Sequence, residues 1–402
     1  MEAHADAGAT RDLAGGTPRP RLCGRLVGLA EYPDLEADWM ALEAGADGGP
    51  FTTWLWVSTW LRNLPAGVAP LVFSASDGAK PVALGLVVPA VERGIGRAFG
   101  SHSLHMQETG DGEIDEVTVE YTGLLALRGT ERAAYAAFFD RLSRERYGWR
   151  RLRFAWTGHG SAIAAALPDS MQAVIVDAVP SHYVDLAAVR ATGGDYVARL
   201  GPNSRSSLRQ TVRAYRRLGP VRIDVAGDAA TALEWLARLE RLHTRYWRSK
   251  GRGGSFQSAF FGRFHRDLVA RGTADGRVRM TRVTAGGREV GYLYNLWWRN
   301  RVYFYNSGLN YGLLDRHDRP GVLALHAAIE QAMEEGCDEF DFLAGDHGYK
   351  GRMATGSRQL CSIDVRRNNL SWACEKLLAR LARRGGRTVG PVADRTREEG
   401  KA

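Results

Sequence analysis

Apolar residues recur along this chain with two periods, one near 3.6 and one of 2, and these mark out helices and strands. Trp56, Trp60 and Leu64 share one face of a helix starting near Phe51, and two strand-like runs follow, Pro70 to Ser74 and Pro81 to Val91, around an Asp77-Gly78 turn. A strand from Glu116 to Ala126, a helix from Thr130 to Tyr147 and a strand from Arg151 to Trp156 continue the alternation. Val174 to Asp177 and His182 to Asp185 read as two short strands before Gly193-Gly194. Beyond them the pattern predicts helices over Ser204 to Leu218, Ala229 to Lys250 and Ser258 to Arg271, with a strand at Val221 to Val225 between the first two. Three runs rich in Val, Tyr, Trp and Phe, from Val278 to Ser307, are separated by Gly286-Gly287 and Arg299-Asn300, which is the pattern of an antiparallel meander. A helix from Gly321 to Glu335 and a strand from Glu339 to Leu343 close the series. Both halves share the order helix, meander, helix, strand.

At 402 residues the chain is long enough for two cores, so the expectation is an N-terminal domain over 21–185 and a second over 186–368. Residues 1–20 read as a disordered tail and 369–402 as a basic C-terminal helix and tail. Hydrophobic residues at 45% and charged ones at 25% fit a globular protein. No apolar run approaches the roughly 20 residues of a membrane-spanning helix. The N-terminus has no apolar segment of the secretory kind, and the four cysteines lack metal-ligand or disulfide-framework spacing. A cytoplasmic protein with reduced thiols and no metal is expected. The net charge of +9 favours an anionic partner, and from Arg199 to Arg217 there are six arginines and no acid.

Three constellations could carry chemistry. Asp318-Arg319-Pro320-Gly321-Val322-Leu323 opens a helix, whose first N–H groups and dipole attract phosphate, with Arg316 and Arg319 adding charge; an ordinary helix start capped by Asp318 is the plain alternative. The strand Phe340-Asp341-Phe342-Leu343 ends in a turn where Gly345 and Gly348 lead to Tyr349, Lys350 and Arg352. Strand alternation sets Asp341 on the face opposite Phe340 and Phe342, and Lys350 with Arg352 can face a phosphate or a developing oxyanion. Arg205, Arg209, Arg213 and Arg216 form a basic helical stripe, capped by Asn203 or Ser204, that fits a tRNA backbone, a nucleotide or an acidic carrier protein. Glu116 and Glu120, four apart on the expected strand, are candidate general bases. His102 and His105 read as polar loop residues. The sequence has no GxSxG elbow, HExxH helix or GxxxxGK[ST] loop.

Tyr303-Phe-Tyr305-Asn-Ser-Gly308, Arg319-Pro-Gly321-Val-Leu323 and Phe340-Asp-Phe-Leu-Ala-Gly345-Asp-His-Gly-Tyr349-Lys350, in that order and spacing, resemble the C-terminal part of the CelD-like and FemAB-like branch of the GNAT acyltransferases. The segment from Tyr196 to Arg217 is similar to the start of that family's acyltransferase domain. The resemblance covers about 190–366 and extends weakly to Phe51 to Trp60. It implies an α/β (α+β) fold of two tandem GNAT-like domains, each a mixed, mostly antiparallel sheet flanked by helices. It also implies transfer of an acyl group from acyl-CoA (such as acetyl-CoA), an acyl carrier or another thioester or ester to an amine acceptor. The donor pyrophosphate would sit at Arg319 to Leu323, with the pantetheine arm along Tyr303 to Ser307 and Lys350 at the donor's phosphate or ester. The turn lacks the full Arg/Gln-x-x-Gly-x-Gly/Ala signature and leaves the donor open. For the chemistry, Asp341, Glu120 or a water on Tyr305 is the candidate base, Lys350 or a backbone N–H the oxyanion partner, and Tyr349 the acid for a leaving thiolate. Two alternatives stand beside this reading. One is aminoacyl transfer from tRNA to a cell-wall precursor or small molecule, and the other a non-catalytic scaffold in polysaccharide assembly.

Overall fold

The computed structural model describes residues 22–78, 80–91, 102–145, 148–346 and 348–367; the expected tail at 1–20 and the helix and tail at 369–402 lie outside the described residues. In the first half the strands are β1 (Cys23–Gly28), β2 (Leu71–Ser76), β3 (Pro81–Val91), β4 (His102–Met106), β5 (Leu125–Ala126), β6 (Trp149–Thr157) and β7 (Met171–Asp185). The second half adds β8 (Val221–Val225), β9 (Val278–Ala285), β10 (Arg288–Trp298), β11 (Arg301–Leu309), β12 (Glu339–Ala344) and β13 (Gly356–Arg367). All belong to a single sheet in the order β1-β2-β3-β4-β6-β13-β7-β12-β11-β10-β9-β8, with β5 on β3. Neighbours are antiparallel except for β4 with β6 and β11 with β12. Each half thus repeats one plan, an antiparallel meander whose last strand is followed, after a helix, by a parallel neighbour. This is the tandem α/β arrangement anticipated above. The sheet runs on across residue 185, where β7 ends: β7 pairs with β12, and β13 of the second half lies between β6 and β7 of the first.

The helices are α1 (Leu35–Gly45), α2 (Trp54–Asn63), α3 (Glu131–Ser143), α4 (Gly160–Ala166), α5 (Leu186–Ala191), α6 (Tyr196–Arg199), α7 (Pro202–Arg216), α8 (Ala229–Ser249), α9 (Ala259–Gly272), α10 (Pro320–Glu334) and α11 (Gly348–Met353). Local chemistry sets several of their starts. The Thr53 hydroxyl accepts from Trp56 N–H at the head of α2, and Asp228 and Ser258 do the same for α8 and α9. The start of α7 differs from the expectation: Gly201 is the N-cap and Pro202 the first helical residue, because the proline ring already holds a helical φ and has no N–H to satisfy.

Three apolar clusters hold the layers together. One joins Phe73, Phe138 and Leu152 of the first half with Val365 of β13, and a second joins Tyr215, Val302, Ile329 and Phe342 in the second half. The third crosses between halves, packing Trp39, Trp56 and Trp60 with Phe264, Tyr294 and Leu343. Full burial of one such side chain contributes on the order of 1.5–3 kcal/mol, so the shared cluster ties the halves into one body.

The structure corrects four local expectations. Glu116 lies in a turn and Glu120 in irregular chain, and only Leu125–Ala126 of the expected strand is extended. The Asp115 carboxylate accepts from the N–H groups of Thr109 and Gly110 and curls this segment back on itself, competing with a strand. The two short strands after Val174 are one 15-residue strand, β7, and the turn after Gly345 contains α11. His105 is a buried strand residue rather than part of a loop.

Candidate active site

The parallel pair β11 and β12 stays in register only from Arg301↔Glu339 to Tyr303↔Asp341, and then the strands part. Both are irregular where they separate. On β11, the pairing with β10 jumps from Tyr294↔Asn306 to Asn295↔Phe304, which leaves Tyr305 without a ladder partner among the described strands. On β12, the pairing with β7 shifts between Asp341 and Ala344, and Leu343 takes a φ of 62°, a left-handed conformation that costs a branched residue on the order of 1 kcal/mol or more. Bulges of this kind re-aim backbone groups at the edge of a cleft.

Side chains from both halves hold the β12 bulge in place. Asp341 is fully buried, and its carboxylate accepts from the Tyr121 hydroxyl at 2.5 Å, Ser181 Oγ at 2.9 Å and Leu343 N–H at 2.7 Å. Arg358 Nη1 stands 4.0 Å from the same carboxylate, and its other nitrogen donates to Glu339. Lys350, 6% exposed, turns its ammonium inward and donates to the carbonyls of Ala344 at 2.6 Å and Leu343 at 3.3 Å. Glu120 accepts from Ala344 N–H at 2.6 Å through Oε2. Burial pushes the Glu120 carboxyl up to about 7, opposed by the positive charge of Lys350 and the Ala344 hydrogen bond and aided by the negative charge of Asp341. A carboxyl held there can exchange protons at neutral pH.

Tyr305 lines the other strand. Its hydroxyl lies 3.1 Å from His265 Nε2, and His265 Nδ1 lies 3.1 Å from the Tyr294 hydroxyl. Burial holds His265 well below the ordinary imidazole value and Tyr305 well above the ordinary phenol value, the latter reinforced by Tyr294, Glu120 and Glu116. His265 is therefore neutral and Tyr305 protonated at neutral pH. Tyr303 is raised to about 12, first by burial and then by Asp341.

Glu120 and Tyr121 reach this place by a particular route. β4 and β6 pair as far as His105↔Arg153, and β6 runs on to Thr157. Beside that free stretch, Tyr121 N–H donates to Trp156 O at 2.8 Å and the Thr122 hydroxyl to Ala155 O. The segment carrying Glu120 thus occupies the strand gap of the first half and delivers its side chains to the gap of the second.

At the head of α10, Arg319 is the N-cap with no side-chain cap bond. Asp318 is not the cap: it accepts from the Tyr215 hydroxyl and from Gly312 N–H, both at 2.5 Å. Arg316 and Arg319 are exposed, and Arg319 reaches Ser207 on α7. Gly321 lies close against Leu309, where an added Cβ would stand 3.0 Å from Leu309 Cδ1. Leu323 is 1% exposed in the core and Val322 packs beside it, so at these two positions only the backbone can meet a ligand. Arg352 is exposed on α11, whereas Tyr349 packs against the C-terminal core. On α7, Arg209, Arg213 and Arg216 are exposed and Arg205 half-buried. The structure therefore brings Glu120, Asp341 and Lys350 together, with Tyr305 within electrostatic reach of Glu120. Tyr121, Ser181, Arg358 and His265 complete the group and carry no sequence signal, because each comes from an element distant in the chain. Among the described residues no group of three His, Cys, Asp or Glu is placed to hold a metal, and no helix is long and apolar enough to cross a membrane.

Residues 202–351 match the family model described as an acetyltransferase (GNAT) domain. No curated protein matches the sequence. Among solved structures, FemX is 9% identical and superposes with a TM-score of 0.56, covering 85% of this chain and 98% of its own. L-PGS from Bacillus licheniformis is 12% identical with a TM-score of 0.49, covering 88% of this chain and 97% of its own. A tandem GNAT protein from the clavulanic acid biosynthesis pathway is 14% identical with a TM-score of 0.43, covering 86% and 99%. Residues 202–351 thus match a GNAT acetyltransferase domain, and the chain shares its fold with FemX.

Proposed function

We propose that the chain is a cytoplasmic N-acyltransferase that moves an acyl group, acetyl among those it accepts, from an acyl-CoA or related thioester to an amine. The carrying observation is the meeting of Glu120 with the parted ends of β11 and β12, inside the segment that matches a GNAT domain. The described cysteines Cys23, Cys337 and Cys361 are free thiols, which suits a reducing compartment.

In this reading the donor's phosphates lie at the head of α10, on backbone N–H groups and Arg316 or Arg319, and the thioester reaches the gap between the strands. Glu120, near 7, takes the proton of the attacking amine. Lys350 holds Glu120 partly ionised through its charge. The backbone at the Tyr305 bulge supplies an N–H for the tetrahedral oxyanion, the geometry in which such donors matter most. Collapse of the intermediate forms the amide and expels the thiolate, which takes a proton from solvent. Asp341 acts on this scheme through position, fixing Tyr121, Ser181 and the β12 bulge.

A second reading, aminoacyl transfer from tRNA to a precursor or small molecule, is favoured by the exposed Arg209, Arg213 and Arg216 on the helix that Arg319 touches. Calorimetric titration of the purified chain with coenzyme A and with charged tRNA, across a salt series, separates the two. Coenzyme A binding supports the first. Binding of charged tRNA alone, with a steep salt slope, supports the second. Binding of neither leaves a non-catalytic scaffold.

A further inference from the structure

The last turns of α8 lie outside the site described above and carry an unusual surface. From Arg241 to Arg252 there are five cationic side chains, Arg241, Arg245, Arg248, Lys250 and Arg252, and no acid, interleaved with His243, Tyr246 and Trp247. Tyr246 stacks on Tyr311, with ring centroids 5.0 Å apart and planes inclined by 22°. Lys250 Nζ sits 5.6 Å from the Tyr246 ring, and Trp247 meets Tyr246 edge-on at 5.4 Å. Tyr311 is 45% exposed and is the one aromatic among the exposed large apolar side chains of the described residues.

The pair is built into the entrance of the donor turn. Arg245 donates to Asn310 Oδ1 at 2.9 Å, and Asn310 is itself tied to Glu289 O at 2.9 Å, which fixes the residue before Tyr311. Gly312, the residue after it, donates its N–H to Asp318, which directly precedes Arg319 and Pro320 of the α10 head. An exposed tyrosine ring stacked on a half-buried one, bordered by arginine and lysine, makes a surface on which a planar base stacks while its phosphates meet the cations.

We propose that Tyr311, backed by Tyr246, is the stacking platform for the adenine ring of the acyl donor. The inference rests on the donor reading above and adds a subsite to it. Adenine is common to coenzyme A and to the 3′ end of tRNA, so the platform serves either source. The cations Arg245, held on Asn310, and Lys250, over the Tyr246 ring, lead its phosphates towards Arg316, Arg319 and the α10 head.

The test titrates the full chain, wild type and variants, with coenzyme A, with 4′-phosphopantetheine, which lacks the adenosine, and with an RNA hairpin ending in single-stranded CCA. Tyr311→Ala weakens the adenine-bearing probe by about 5- to 100-fold, as loss of one stacked base requires, and leaves 4′-phosphopantetheine unchanged; Tyr311→Trp restores binding. Whether coenzyme A or the hairpin shows the effect tells which donor supplies the ring. Tyr311→Ala binding the adenine probes as wild type does, or losing 4′-phosphopantetheine equally, overturns the platform and leaves the donor reading standing. Wild-type protein that binds none of the three probes overturns both.

Discussion

Glu120→Gln separates the chemistry of the site from its stability. In the folded chain the Glu120 carboxyl is raised from 4.5 to about 7, chiefly by burial. A raised carboxylate means that the folded state holds its proton over a pH range where the unfolded state has lost it. Stability therefore falls as pH rises from about 4.5 and reaches its full penalty above about 7. At about 1.4 kcal/mol per pH unit, the cost of carrying an ionised Glu120 at pH 8 is about 3 kcal/mol. Glutamine keeps the acceptor for Ala344 N–H and cannot ionise, so the variant is more stable than wild type by up to about 3 kcal/mol at pH 8 and equal to it near pH 4.5. Urea unfolding at the two pH values measures this directly. The same substitution removes the proposed base, so thiol release from acetyl-CoA in the presence of a responsive amine falls by about 10²–10⁴-fold. Wild-type kcat/KM, followed against pH, rises through a limb near 7. A stability difference that does not grow between pH 4.5 and 8, or turnover left intact in the variant, refutes the reasoning.

Asp341→Ala leaves the Tyr121 and Ser181 hydroxyls and the Leu343 N–H without their acceptor in a dry site, and a loss of about 3–5 kcal/mol is expected in urea unfolding. A loss under 1 kcal/mol contradicts the assigned network. Lys350→Met removes the charge that lowers the Glu120 carboxyl, so the acidic limb of the pH profile moves upward from about 7; a downward move contradicts the assigned coupling. Gly308→Ala places a Cβ 2.3 Å from Leu239 O and 2.6 Å from Leu239 Cα, which forces α8 away from β11 and costs about 1–3 kcal/mol in thermal or urea unfolding.

The C-terminal half was legible in the sequence because its signals are local. The meander from Val278, the helix opened by Pro320 and the strand with Asp341 between two phenylalanines are each set by side-chain period and turn chemistry within about a dozen residues. Strand β13 gave no such signal. It alternates arginines and an aspartate with apolar residues, and that pattern reads as polar chain until β6 and β7 flank it and bury Asp364. The strand expected from Glu116 failed for a related reason, since the Asp115 side chain offers the backbone another partner.

For the site, the sequence by itself determined which groups are present: a strand ending in Asp341, the glycines after it, Lys350, and a helix head able to face phosphate. Only the tertiary structure decided what those groups do together. It turned Lys350 inward onto the carbonyls of Leu343 and Ala344, and it carried Glu120 through the strand gap of the first half to the bulge in the second. Burial there moves Glu120 from the ordinary carboxylate range to about 7. That shift depends on desolvation and on charges contributed by residues more than 200 positions away, and no local pattern in a sequence encodes either.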